Sequence, residues 1–138
     1  MSNTQPYESN VKKIHILIVD DDAMIRRLFG GRLTTLGYEI MYASDGNEGR
    51  ETARRFHPDL VLMDENMPVM TGMEAISRMK EEPETKNIPI ILFTNEDLSM
   101  EAEKVMKEFK ADAYVHKSSD FSVLAKTIKD ILEKKKAS

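Results

Sequence analysis

The feature that most constrains this chain is a repeated alternation between two hydrophobic periods. Three short runs, "IHILIVD" (14–20), "LVLMD" (60–64) and "IPIILFT" (88–94), are almost continuously apolar and rich in β-branched residues. Such runs are typical of strands that are buried on both faces of a parallel sheet. Two more mixed runs, "YEIMYA" (38–43) and "AYVHK" (113–117), predict edge strands, because one side of each can stay in contact with water.

A segment with helical spacing of apolar residues follows each of these runs. The predicted helices cover about 23–36, 47–56, a stretch that begins near 71–72, 98–110 and 121–136. Five strand–helix repeats predict a parallel sheet with right-handed crossovers and helices on both faces. The first helix is expected to bury a stripe that consists of Met24, Ile25, Leu28, Leu33 and Leu36.

Composition narrows the class of protein further. The chain has 138 residues, which predicts one domain; we assign residues 1–12 to a flexible N-terminal tail and 13–136 to the domain. Cysteine is absent, which excludes disulfides, thiol nucleophiles and cysteine–zinc sites. The net charge of −4 and the lack of a long apolar run predict a cytoplasmic protein without a nucleic-acid or membrane partner.

Polar and charged residues stand where the predicted strands end. Strand 1 ends in Asp20 and Asp21, strand 3 in Asp64, strand 4 in Thr94 and strand 5 in Lys117. In an open α/β sheet the carboxyl ends of the strands meet at the ligand-binding crevice, so these side chains are expected to converge. Two carboxylates about 5 Å apart repel each other by roughly 3 kcal/mol, which favours a bound cation.

The residue types at these positions favour Mg²⁺ or Mn²⁺ over zinc, since the ligands are few and all are oxygen atoms. A threonine hydroxyl and a lysine ammonium beside the cation would suit a phosphoryl group. Simpler interpretations also exist. Asp22, the third aspartate after strand 1, could equally cap the first helix. Tyr114 could be only an edge-strand aromatic.

Four motifs carry a family resemblance: "ILIVDDD", "LVLMDENMPVMTG", "IILFT" and "YVHK", in this order. With them the chain resembles the receiver domain of two-component response regulators over about 13–134, particularly the stand-alone, chemotaxis-type regulators. The resemblance implies a flavodoxin-like, doubly wound (βα)5 three-layer sandwich with strand order 2-1-3-4-5. It also implies a signalling phosphoacceptor rather than an enzyme with steady turnover.

The resemblance assigns roles to individual residues. It implies that Asp64 is the phosphoacceptor, and that Asp20 and Asp21 hold Mg²⁺ together with Asp64 and the backbone carbonyl of Asn66. Mn²⁺ is expected to substitute for Mg²⁺.

The resemblance further implies that Thr94 and Lys117 contact the phosphoryl oxygens. It implies that Tyr114 changes rotamer when Thr94 moves toward the phosphate.

Three residues beside the site are expected to tune the lifetime of the phosphate. Asn66 and Glu96 form a pair similar to that of fast-cycling chemotaxis regulators, which predicts a lifetime of seconds to minutes. Asn95 is larger than the residue usual there and could slow exchange. Ser118 follows Lys117 where the family usually has proline, so a trans peptide and a reshaped loop are expected.

By the same resemblance, a sensor histidine kinase or a histidine phosphotransfer protein donates the phosphoryl group. The response is expected to reach a downstream protein through the face made by the fourth helix, fifth strand and fifth helix. The chain ends after that helix, so we expect no attached output domain.

Three alternatives remain at this point. They are an aspartate-nucleophile phosphatase of the haloacid dehalogenase kind, a flavodoxin-like module, and a receiver-fold binding module that signals without phosphorylation.

Overall fold

The computed structural model describes residues 12–98, 100 and 102–137. The strands are β1 (His15–Val19), β2 (Glu39–Ala43), β3 (Leu60–Met63), β4 (Ile90–Thr94) and β5 (Ala113–His116). The helices are α1 (Ala23–Thr35), α2 (Gly46–Phe56), α3 (Gly72–Glu81), α4 (Ala102–Glu108) and α5 (Phe121–Ala137). The predicted alternation of strand and helix is confirmed. The predicted tail over 1–12 lies outside the described residues except for Lys12.

The five strands form one parallel sheet in the order β2-β1-β3-β4-β5, which confirms the predicted fold class. The predicted edge strands, β2 and β5, do lie at the edges and are partly exposed, whereas β3 and β4 are buried throughout. β4 begins two residues later than the sequence predicted, after Pro89, because proline has no N–H group to donate to a neighbouring strand.

Alternating residues of the central strands supply two cores, one on each face of the sheet. Leu17 and Val19 of β1 pack on one face with residues of α2 and α3, which include Ala53 and Ile76. The opposite core combines the remaining apolar residues of β1 with residues of α1 and α5: Ile16, Ile18, Phe29, Leu33, Leu124 and Ile128. The result is the predicted three-layer arrangement.

The buried stripe predicted for α1 is partly wrong. Leu33 is buried, but the side chains of Met24 and Leu28 are 73% and 54% exposed, and Leu36 is exposed as well. The helix instead faces the sheet through Phe29, Gly30 and Leu33. This segment contains two stripes with helical spacing, the predicted one and one through Phe29, Gly30 and Leu33. Packing against the sheet buries the stripe through Phe29.

Gly30 fits this packing, because a Cβ at this position would come within 2.1 Å of the Tyr42 hydroxyl. The glycine therefore lets β2 pack closely against the helix. Gly31 has open space around it and serves no such contact.

Capping groups define the ends of several helices. The Asp22 side chain accepts hydrogen bonds from the backbone N–H groups of Met24 and Ile25, so the capping interpretation of Asp22 is confirmed. α4 is shorter than the predicted 98–110; Lys110, with a left-handed φ of 64°, lies just beyond its C-terminal end. Among the described residues, no helix has both the length and the apolar character needed to cross a lipid bilayer.

Candidate functional site

The site lies where β1, β3, β4 and β5 end. Val19 of β1 pairs with Met63 of β3 in the sheet, so the residues that follow these two strands, Asp20 and Asp64, are neighbours. The Asp20 N–H donates to the Ala43 carbonyl and the Asp64 N–H to the Val19 carbonyl, each at 3.0 Å. These bonds extend the sheet by one residue on each strand, so the sheet itself holds the backbone of both aspartates.

Three carboxylates converge at this edge. One oxygen atom from each of Asp20, Asp21 and Asp64 lies within 4.8 Å of the other two. Asp20 and Asp64 are buried, and Asp21 is exposed. The structure thus brings together the predicted acidic residues from two separate strands.

Lys117 reaches the same carboxylates from β5. Its Nζ donates to Asp20 Oδ2 at 2.5 Å and lies 3.4 Å from Asp64 Oδ1, and its side chain is only 7% exposed. Its backbone N–H donates to the Thr94 carbonyl at 2.9 Å, which fixes the lysine to the end of β4. The peptide bond between Lys117 and Ser118 is trans, as expected, and the lysine still points at the acidic residues.

The charges at the site do not balance. Burial, and to a lesser extent the neighbouring Asp64 carboxylate, raise the pKa of Asp20. The hydrogen bond and charge of Lys117 and the Asp22 N–H act in the opposite direction but do not overcome the burial. Arg26 Nη1 also donates to the Asp20 backbone carbonyl, at 2.6 Å, but these two cations still leave the three carboxylates with a deficit of positive charge. Because all three ligand atoms are carboxylate oxygens, the donor set fits a divalent cation such as Mg²⁺.

Glu65 belongs to the surroundings of the site, although it was not among the predicted site residues. The residue is buried, and its Oε1 accepts a hydrogen bond from the Met73 N–H in the first turn of α3 at 2.8 Å. Burial raises the pKa of this carboxyl, and the nearby charges of Asp64 and Glu96 add to the effect. Its position directly after Asp64 was the available signal, but only the packing shows that the side chain turns inward.

The loop between β3 and α3 is tightly closed behind Asp64. The Gly72 N–H donates to the Glu65 carbonyl, and a Cβ at Gly72 would lie 2.0 Å from the Asp64 carbonyl oxygen. The Met70 N–H donates to the Pro68 carbonyl across a γ-turn centred on Val69, whose φ is 75°. A β-branched residue is strained in this conformation.

Thr94 and Tyr114 hold the loop after β4 at two points. The buried Thr94 hydroxyl accepts a hydrogen bond from the Glu96 N–H at 3.2 Å. The Tyr114 hydroxyl donates to the Glu96 carbonyl at 2.9 Å and accepts from the Leu98 N–H at 3.1 Å. The two predicted switch residues therefore contact the same short segment.

The three residues predicted to tune the phosphate lifetime, Asn66, Asn95 and Glu96, lie exposed on the loops that follow β3 and β4. Among the residues that the structure describes, the acidic triad is the one group of candidate metal ligands, and the histidines do not contribute to it. His57 instead ends α2 in a left-handed conformation.

Comparison with known proteins agrees with this geometry. A family profile described as the response regulator receiver domain matches residues 16–129. The polar-differentiation response regulator DivK of Brucella ovis is 31% identical over 117 residues, which cover 85% of this chain and 94% of the relative.

Solved structures of similar proteins have the same fold. The chemotaxis protein CheY4 of Vibrio cholerae is 32% identical, with a TM-score of 0.79 over 86% of this chain and 98% of that one. The response regulator TrrA of Thermotoga maritima, solved in complex with Mg²⁺–BeF, is also 32% identical, with a TM-score of 0.76 over 85% and 97% of the two chains.

Proposed function

Because the chain belongs to the response regulator receiver domain family, it is a phosphoacceptor of two-component signalling, and we propose that Asp64 is the residue that accepts the phosphoryl group. The observation that carries this proposal is the position of Asp64. It is buried at the end of a central strand, beside two other carboxylates and 3.4 Å from the Lys117 ammonium. The family assignment makes the chain a signalling protein rather than a conventional enzyme.

The transfer starts with attack by an Asp64 oxygen on the phosphorus of a phosphohistidine. A sensor histidine kinase or a histidine phosphotransfer protein supplies that phosphohistidine. A P–O bond to Asp64 forms while the P–N bond breaks, and the electron pair stays on the imidazole, which takes a proton from solvent. Lys117 lies close enough to stabilise the negative charge of the phosphoryl oxygens, and Thr94 ends the neighbouring strand with a hydroxyl.

The proposed cation site consists of Asp20, Asp21 and Asp64 with the backbone carbonyl of Asn66. When bound, Mg²⁺, or Mn²⁺ in its place, would neutralise charge on the carboxylates and on the phosphoryl group. The carboxylates are already gathered within 4.8 Å of one another, which supports this assignment.

Loss of the phosphoryl group reverses the change. A water molecule attacks the phosphorus, the P–O bond to Asp64 breaks, and inorganic phosphate leaves behind a free carboxylate. Asn66, Asn95 and Glu96 are exposed on the adjoining loops, where their side chains can control the approach of water. We expect a phosphate lifetime of seconds to minutes.

The signal would spread from Thr94. If its hydroxyl turns toward the phosphoryl group, the Glu96 N–H loses its acceptor, and the loop that Tyr114 also holds is free to rearrange. A downstream protein then reads the face formed by α4, β5 and α5. The proposal includes a cytoplasmic location and a single receiver domain over residues 13–136.

Labelling with acetyl phosphate tests the assignment. With Mg²⁺ the wild type should take up at most one phosphoryl group per chain, and EDTA should abolish the uptake. Asp64→Asn should not be labelled, whereas Asp22→Asn should be labelled like the wild type, because Asp22 caps α1 and its asparagine replacement can still do so. No uptake by the wild type would leave a binding module that signals without phosphorylation. Steady hydrolysis of phosphate esters that persists in Asp64→Asn would favour a phosphatase.

A further inference from the structure

The turn after β5 places Lys117 at the site. The Ser119 N–H donates to the His116 carbonyl at 3.0 Å, which closes a turn with Lys117 and Ser118 at its two central positions. A turn of this kind leaves the N–H of its second central residue without a backbone acceptor. The Ser118 N–H therefore needs a side-chain acceptor or a water molecule as its hydrogen-bond partner.

The His116 side chain provides the acceptor. Its Nδ1 accepts from the Ser118 backbone N–H at 3.1 Å and lies 2.8 Å from the Ser118 hydroxyl. A backbone N–H can only donate, so Nδ1 is the unprotonated ring nitrogen and the hydroxyl donates to it as well. The imidazole thus closes a ring onto the residue two positions ahead, as an aspartate or asparagine does in an Asx turn.

The hydrogen-bonded ring between His116 and Ser118 restricts the backbone conformation of Lys117. Lys117 lies between the two bonded residues, and its own N–H is fixed to the Thr94 carbonyl. Its side chain then extends into a buried position and meets Asp20 and Asp64. A shift of the backbone at Ser118 would carry the lysine away from both carboxylates, since no proline ring restricts that residue.

We infer that His116 and Ser118 are positioning residues for Lys117, and that their hydrogen bonds hold the turn in the shape that phosphoryl transfer needs. The inference rests on the proposed role of Lys117 beside the phosphoryl group. Neither residue need touch the phosphoryl group to act in this way.

The test compares four variants for their rate of labelling by acetyl phosphate with Mg²⁺. His116→Leu removes the acceptor and should slow labelling about fivefold to tenfold, the effect of one to two lost hydrogen bonds. His116→Asn offers an oxygen acceptor to the residue two positions ahead and should stay within about twofold of the wild type. Ser118→Ala keeps the backbone N–H and should lose about twofold.

Ser119→Ala is the matched control, because its hydroxyl has no hydrogen-bond partner among the described residues. The Mg²⁺ affinity of His116→Leu should not fall, since the three carboxylates are unchanged. The inference is wrong if His116→Leu is labelled as fast as the wild type. It is also wrong if His116→Asn is as slow as His116→Leu, because the ring would then act through its bulk.

A second measurement separates this inference from the proposed function. The reactivity of Lys117 with an amine-modifying reagent, followed by mass spectrometry in Mg²⁺-free protein, does not depend on phosphoryl transfer. His116→Leu should raise it about fivefold relative to the exposed Lys104, and His116→Asn should not. If acetyl phosphate does not label the wild type, the proposed function alone is refuted. If the reactivity of Lys117 is unchanged in His116→Leu, the positioning role is refuted.

Discussion

Asp64→Asn should stabilise the protein when no divalent cation is present. Each of the other two carboxylates has an oxygen within 4.8 Å, so each repels Asp64 by at least about 3.5 kcal/mol at an effective dielectric constant of 20. The Lys117 ammonium, at 3.4 Å, attracts Asp64 by about 5 kcal/mol on the same scale. The repulsions exceed the attraction, and an amide at this position removes all three interactions.

The expected gain in the free energy of unfolding is therefore about 2 kcal/mol. Two further effects oppose each other: Asp21 is exposed, which weakens its share of the repulsion, and removal of a buried charge adds to the gain. For a domain of this size, such a gain raises the melting temperature by roughly 6–10 °C. We expect the same variant to lose phosphoryl uptake, so stability and function change in opposite directions.

The assay is urea denaturation at low ionic strength, first with EDTA and then with Mg²⁺. Mg²⁺ should stabilise the wild type, by about 2.7 kcal/mol at one hundred times its dissociation constant, and should stabilise Asp64→Asn less because one ligand is gone. Asp22→Asn keeps its helix cap and should match the wild type within about 0.5 kcal/mol. The reasoning is refuted if Asp64→Asn is no more stable than the wild type in EDTA.

Three further predictions follow from contacts around the site. Lys117→Met leaves two buried carboxylates without their cation and should cost about 3–5 kcal/mol in urea denaturation with EDTA. Gly72→Ala places a Cβ against the Asp64 carbonyl and should cost at least about 2 kcal/mol, whereas Gly31→Ala, a helical glycine in open space, should gain about 0.5–1 kcal/mol. The fold raises the pKa of Glu65 above 4.5, so its favourable contribution is present below that pH and is lost as the pH rises through the raised pKa. Glu65→Gln should therefore melt higher than the wild type near pH 7, and the difference should disappear in acid.

The hydrophobic patterns of the chain were enough to predict the strands, the helices and their arrangement in layers. Runs such as 60–64 are too apolar and too short for anything but a buried strand, and the helical segments between them left one arrangement of layers. The strand order was not contained in those patterns, and the family resemblance supplied it. The rotation of α1 was predicted wrongly, because Leu28 and Phe29 both fit a helical stripe and only the contact with the sheet distinguishes them.

The site was predictable to the extent that each of its residues ends a strand. Asp20, Asp64, Thr94 and Lys117 all stand at such ends. Glu65 could not be found in this way, because an acidic residue in a loop is normally exposed and nothing local shows that this one turns inward. The hydrogen bonds between His116 and Ser118 could not be predicted either, because no local pattern indicates them. Ser118 itself was noted only because the family usually has proline there.

The sequence by itself determined that strands and helices alternate and that a particular polar residue follows each strand. A parallel sheet then requires those residues to share one edge, because all of its strands point the same way. Only the tertiary structure decided that Lys117 crosses 97 positions of sequence to pair with Asp20, and that its one ammonium lies between two buried carboxylates, Asp20 and Asp64. Distances between side chains on different strands arise from sheet order, helix rotation and burial, and these depend on the packing of the whole chain rather than on any local pattern.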